Sequence, residues 1–329
     1  MQSNLPLLIT MGDVAGVGPE IIVRSWKTLQ EFSFPVVVGD ETWLKKAASR
    51  YAPDLKLRGI RTIEEAVFRE GTVCFLSDSK ADLGSVQECR VNAQAGQGAY
   101  DFLCQAIDLT MQKRASAIVT APLHKEGLYA AGIHYPGHTE ILADRTGVRE
   151  FGMVLAIPGL AVAHVTLHMA LKKVFDHISI QGIVSKGQLL DGLLKRMLGR
   201  RPRIAVAALN PHASDGGLFG EEEEKIIAPA VEEIQKKGID ISGPIACDTL
   251  FVRAKNGEFD GVVAMYHDQG HIALKLSGLG MAVNISIGLP IIRTSVAHGT
   301  AYDIAWQGKA DPSGMVEAAR IASKLAGAE

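Results

Sequence analysis

The sequence predicts an α/β protein of two lobes, an α/β/α arrangement around mostly parallel sheets. Two observations carry this. Short apolar runs alternate with longer amphipathic ones along the whole chain, and the short runs, rich in Val, Ile and Ala, lack the polar alternation of half-exposed strands. The 329 residues and 47 % apolar content suit a large core, and such a length corresponds to about two domains of ~150 residues.

In chain order, strands are expected at Leu7–Thr10, Pro35–Gly39, Thr72–Leu76, Ala117–Thr120, Gly152–Ala156, Ala161–Val165, Arg203–Ala208, Gly261–Met265 and Val283–Ile287. Helices are expected between them, including Glu41–Tyr51, Asn92–Arg114, Ile180–Leu198 and Glu221–Lys237. The last opens on four glutamates and ends Lys236-Lys237-Gly238, so its charged ends are accounted for by the helix dipole and a glycine C-cap. No repeat or low-complexity linker interrupts the pattern. With no composition shift to mark them, the lobes are placed at 1–128 plus 300–329 and at 129–299.

Thirty-four basic and 36 acidic residues give a net charge of -2, which argues against general nucleic-acid binding. Cys74, Cys89, Cys104 and Cys247 form no CxxC pair and read as reduced thiols. The first residues lack a basic start, and the apolar stretch there is far short of the ~20 residues that span a bilayer. The expectation is a soluble, cytoplasmic protein without a membrane partner.

Met11-Gly12-Asp13 through Gly16-Val17-Gly18-Pro19-Glu20 joins a strand to an apolar helix. It approaches a dinucleotide fingerprint, with Asp40 at the distance of a ribose contact, but Ile21 stands where the third glycine belongs. Glu20 would repel a pyrophosphate at the helix N-terminus. A tight functional loop beside a cleft fits better, with a purely structural turn as the alternative.

His168, His212 and His267 each follow an apolar strand. In parallel sheets such ends share one edge, where ligands bind. Three imidazoles with an open position make a catalytic metal site, which Asp248, Asp268 or a substrate oxygen could complete; the plainer reading makes each a polar loop residue. His134, His164, His177 and His271 read as surface or packing residues. Tyr135-Pro136-Gly137-His138-Thr139-Glu140 opens a helix whose free N–H groups suit an anion, unless Thr139 is simply its N-cap. Lys275, Asn284 and Arg293 sit near apolar segments. Arg293, between Ile292 and Thr294, needs an anion, either a ligand or an internal partner.

The stretch His298-Gly299-Thr300-Ala301-Tyr302-Asp303-Ile304 through Asp311-Pro312 resembles the adenosine-binding loop of the isopropylmalate and isocitrate dehydrogenases, and the first loop resembles a motif of the same superfamily. The resemblance implies that fold, with Gly12, Asp13, His298, Gly299, Asp303 and Ile304 around a cofactor and His298 at the adenine. Asp303 and Ile304 take the positions that separate NAD from NADP. A carboxylate there accepts from a ribose 2′-OH and repels a 2′-phosphate, so NAD is expected.

Thr10–Glu20, Thr120–Lys125, Pro136–Glu140, Leu209–His212, Asp248–Phe251, Ala264–Gly270, Asn284–Pro290 and Arg293–Ala301 together resemble the 4-hydroxythreonine-4-phosphate dehydrogenase family over nearly the whole chain. This resemblance implies one divalent metal (Zn, Mg or Co) on His168, His212 and His267, its ligands drawn from both subunits of a homodimer. It also implies substrate contacts from His138, Thr139, Lys275, Asn284 and Arg293, and NAD-dependent oxidation at C3 followed by decarboxylation. Lys275, His138 and Asp248 are the candidate bases. His271 and Tyr302–Trp306 are closer to a sister branch acting on 4-phospho-D-threonate or 4-phospho-D-erythronate. The competing readings are an isopropylmalate-type dehydrogenase with carboxylate metal ligands, an acyltransferase without NAD, and a sensor without turnover.

Overall fold

The computed structural model describes residues 5–278 and 281–327. Twelve strands are present among them: β1 (Leu7–Thr10), β2 (Pro35–Val38), β3 (Lys56–Ile60), β4 (Thr72–Leu76), β5 (Ala117–Thr120), β6 (Gly152–Ile157), β7 (Leu160–His164), β8 (Ile204–Ala207), β9 (Ile241–Ile245), β10 (Gly261–Ala264), β11 (Val283–Ile287) and β12 (Arg293–Val296). The chain forms two units, Met1–Arg149 with Leu289–Glu329, and Glu150–Gly288; the sequence reading divides it at 128/129 and 299/300.

In the first unit the strand order is β3-β4-β2-β1-β5-β12, all parallel. In the second it is β11-β6-β7-β10-β8-β9, where β7, β10, β8 and β9 are parallel. Strand β6 runs antiparallel to both β7 and β11, because the tight Pro158-Gly159 turn returns the chain at once and leaves no room for a crossover. Strands β1, β2, β5, β8, β10 and β12 are buried at every residue, as strands covered by helices on both faces must be.

Three strands were not anticipated. β3 and β9 are sheet edges with mixed exposure, so they lack an apolar run. β12, Arg293-Thr294-Ser295-Val296, is fully buried but polar in composition. Helices Gly18–Gln30, Glu41–Tyr51, Ala93–Met111 and Ile180–Leu198 fill the intervals, the last three capped by the side chains of Asp40, Asn92 and Ser179. Asp40 therefore serves as an N-cap, accepting from Trp43 N, rather than reaching a ribose. The expected helix over 221–237 is also revised. It opens as a π-helical turn, Glu223–Ile227, before the α-helix Ala228–Lys236. No helix among the described residues is long and apolar enough to cross a membrane.

Candidate functional site

In the first unit, β1, β5 and β12 are adjacent and parallel, so the loops after them leave one edge. Gly12 adopts φ +66°, and a Cβ there would lie 2.3 Å from the Pro122 carbonyl oxygen. Only glycine permits that approach of the first loop to the loop after β5. Val17 N donates to Thr300 O at 3.0 Å, bringing in the loop after β12. That third loop is pinned repeatedly: Tyr302 Oη donates to Asp13 Oδ2 at 2.8 Å, Trp306 Nε1 to Val14 O at 3.2 Å, and Ala310 N to Glu20 Oε1 at 3.0 Å.

Asp13 and Glu20 are both fully buried. Burial raises the Asp13 pKa, opposed by the bonds from Tyr302 and Ala15 N. Its oxygens face the protein, so Asp13 shapes the loop. Glu20 is likewise spent on Arg24 and on the Gly308 and Ala310 N–H groups. His298, Gly299 and Asp303 are exposed, and Ile304 is half-buried. The His124 ring stacks on Tyr302 at 5.0 Å, with its Nδ1 buried and unsatisfied among the described residues.

The anion candidates of this unit gather around Arg293, which is 3 % exposed and donates to Thr120 Oγ1 at 2.6 Å. His138 opens the helix His138–Thr146, whose N-cap is Gly137; Thr139 lies in the first turn and is not the cap. Burial and then the charge of Arg293 hold the His138 imidazole well below its ordinary pKa. It is therefore neutral, with a lone pair to accept a proton.

In the second unit, β7, β10 and β8 lie side by side in parallel. His168, His212 and His267 follow their C-terminal ends, so all three leave the same sheet edge. Cross-links hold these loops together. Thr166 Oγ1 donates to Met265 O at 2.8 Å, and Gln269 receives Met265 N at 2.7 Å while its amide donates to Ala208 O at 2.7 Å.

The rings of His168 and His267 are 5.5 Å apart. His267 Nδ1 lies 2.7 Å from Asp268 Oδ1. A carboxylate only accepts, so Nδ1 is the donor in this contact, and Nε2 is the ring atom left to face a cation. His212 lines a cleft of about 550 Å³ with Asp248, Asp268, Phe251 and Tyr266. Among the described residues of this one chain, no three His, Cys, Asp or Glu side chains converge as a metal cage. The donor chemistry of these histidines fits a divalent cation.

His164 and His271, read from the sequence as surface or packing residues, belong to this cluster. His271 stacks on His267 at 3.7 Å, and its Nδ1 lies 3.1 Å from His164 Nε2. Burial, reinforced by neighbouring imidazoles, lowers His164 to about 3 and His271 to about 4. Gly270 makes the packing possible, since a Cβ would lie 2.4 Å from His164 Nε2. Lys275 is exposed one turn beyond His271. On β11, Asn284 Oδ1 is buried and accepts nothing among the described residues, which leaves an amide for a ligand to satisfy.

The sequence did not announce the turn that carries His212. His212, Ala213, Ser214 and Asp215 have φ of 53°, 56°, 69° and 46°. Left-handed backbone costs L-residues about 1–2 kcal/mol each. Glu223, 4 % exposed, accepts from Leu209 N, Asn210 N and Asn210 Nδ2 at 2.8, 2.7 and 2.9 Å, and from Ser214 Oγ. Burial alone would raise its pKa, but these bonds outweigh it and lower the carboxyl. The reading of the four glutamates as helix-dipole charges is thus corrected at Glu223.

Comparison with known proteins points one way. Residues 31–322 match the family model of pyridoxal phosphate biosynthetic protein PdxA. The chain is 45 % identical to D-threonate 4-phosphate dehydrogenase of Salmonella typhimurium, over 97 % of this chain and 98 % of the relative. It is 44 % identical to 4-hydroxythreonine-4-phosphate dehydrogenase of Beijerinckia indica, over 97 % and 95 %. The crystal structure of 4-hydroxythreonine-4-phosphate dehydrogenase from Klebsiella pneumoniae matches with TM-score 0.88 and 42 % identity, covering 98 % of this chain and 100 % of that one.

Proposed function

The chain belongs to the PdxA family and is a dehydrogenase acting on a CH–OH group, and we propose that it oxidises the C3 hydroxyl of D-threonate 4-phosphate with NAD and a divalent metal. The observation that carries the reading is the shared strand edge of the second unit, where three metal-type histidines leave adjacent parallel strands on cross-linked loops.

The surroundings of His271 support this substrate branch. The groups that depress its pKa after burial are His267, Lys275 and His168. Such neighbours suit a 2-hydroxyl better than a 2-ammonium, which would seek a carboxylate. The naming of the Salmonella relative supports the same branch.

His168, His212 and His267 would hold the cation, with the missing ligand or ligands supplied by a second copy of the chain. Exposed apolar side chains support this, since Leu171, Phe175, Leu218, Phe219, Ile272 and Leu276 (46–82 % exposed) lie on the segments bearing these histidines. When bound, the cation supplies Lewis-acid polarisation of the C3 oxygen, and NAD accepts the hydride.

The protein's residues do the rest. Arg293 provides a fixed, buried cation for a phosphate or carboxylate. Thr139 and Lys275 add donors, and Asn284 gains the partner its buried oxygen lacks. His138, held neutral, can take the hydroxyl proton; Lys275 and Asp248 are the alternative bases. Oxidation at C3 yields a β-keto acid, which loses CO2 readily. Asp303, with Ile304 beside it, would select NAD by accepting from the ribose 2′-OH, and His298 and Gly299 would hold the adenosine end. Asp13 and Gly12 act on the cofactor by fixing the loops that hold it. Prolonged chelation should abolish NAD reduction, and Zn, Co or Mg should restore it. Full turnover after exhaustive chelation would overturn the metal requirement.

A further inference from the structure

We infer that Glu223 is a positioning residue for His212, holding the left-handed turn that presents this imidazole to a divalent cation. The inference rests on the metal reading above. Positive φ continues from His212 through Gly217, six residues in succession. L-residues adopt this conformation singly, not in runs, so the turn cannot persist by local preference.

Its internal backbone bonds are sparse. Ala213 N reaches Asn210 O at 3.3 Å, and Gly216 N, Gly217 N and Phe219 N all share Ser214 O. The turn is held chiefly from outside. One carboxylate oxygen of Glu223 takes the Leu209 and Asn210 N–H groups at the entry, and the other takes Asn210 Nδ2 and the Ser214 hydroxyl within the turn. Four donors match the four lone-pair sites of an ionised carboxylate. Glutamine would turn an NH2 toward donors, and aspartate is one carbon short. Glu223 also opens the π-helical turn Glu223–Ile227, a rare local widening that recurs at functional sites. Ser214, two residues from His212, is 2 % exposed, so the anchored point is buried while His212 stands in the cleft.

The test measures Co²⁺ affinity by chelator competition, together with thermal melting, for the full-length wild type, Glu223→Ala, Glu223→Gln and Asp260→Asn. Asp260 is a buried carboxylate of the same unit, tied to Arg200 and Arg203, and serves as a control for lost stability. Outer-shell partners of metal ligands typically govern 10- to 100-fold in affinity. Both Glu223 variants should therefore bind Co²⁺ at least about tenfold more weakly, while Asp260→Asn melts lower with wild-type affinity. Should Glu223→Ala fail to fold, Glu223→Gln carries the test. Wild-type affinity in a folded Glu223 variant would overturn the positioning role. A wild type that binds no Co²⁺ would instead overturn the metal reading beneath it.

Discussion

Single carboxylates do unlike work in this chain. Glu20 staples a loop, Glu223 clamps a turn, and Asp260 closes the joint between the segments before β8 and β10. Asp260 accepts from Arg200 Nη2 at 2.7 Å and from Arg203 N at 2.8 Å. The Arg200 bond is the largest cause of its lowered pKa; burial opposes it, and the Arg203 bonds add to the lowering. A carboxyl whose folded pKa is depressed stabilises the protein fully above its unfolded pKa, and that contribution is lost as pH falls through the folded value. Asp260→Asn should thus cost roughly 1–3 kcal/mol at neutral pH, with the cost shrinking below about pH 4. Denaturant melts of both proteins across that range would show it. A penalty constant down to strong acid would mean the ion pair is not its source.

The loop after β12 is the clearest case of an element made by distant parts of the sequence. Its shape depends on Asp13, Val14 and Glu20, nearly 300 residues away, while Asp303 projects into solvent. Exchanging Asp303 should therefore change cofactor choice without disturbing the loop. Asp303→Asn is expected to raise the preference for NADP relative to NAD by about tenfold or more, read from kcat/KM with each cofactor. An unchanged ratio would remove Asp303 from the cofactor site.

Much of this was legible in the sequence. Strands β1, β4, β5 and β11 have the expected bounds; β1, β4 and β5 are parallel strands that declare themselves by apolar runs, while β11 shows through Val283, Ile285 and Ile287. The shared edge of His168, His212 and His267 was legible for the same reason. β12 was not, since its buried polar residues find partners only in the fold. Nor was the role of Glu223, whose four donors come from Leu209, Asn210 and Ser214. Four successive glutamates look like dipole charges, and nothing in their spacing singles out the third. His164 and His271 became neighbours only through Gly270.

Across the whole molecule, the proposed metal site draws its histidines from two copies of the chain; among the described residues of one chain no three His, Cys, Asp or Glu side chains form a cluster. The exposed apolar side chains on the same segments are the surface this proposal assigns to the second copy. Mixing His168→Ala, His212→Ala and His267→Ala variants in pairs tests this. A pair whose altered histidines belong to the same site, one from each chain, leaves the other site of the hybrid dimer intact and should regain metal binding. Silence from every pair would rule the shared site out.

The oxidation itself is read from NADH formation by the purified protein supplied with a divalent cation. D-threonate 4-phosphate and 4-phosphohydroxy-L-threonine would be offered in parallel. NADH should form from both or from the first alone, with the higher kcat/KM for D-threonate 4-phosphate. A preference for the amino acid would contradict the substrate branch, and no NADH from either would contradict the proposed reaction.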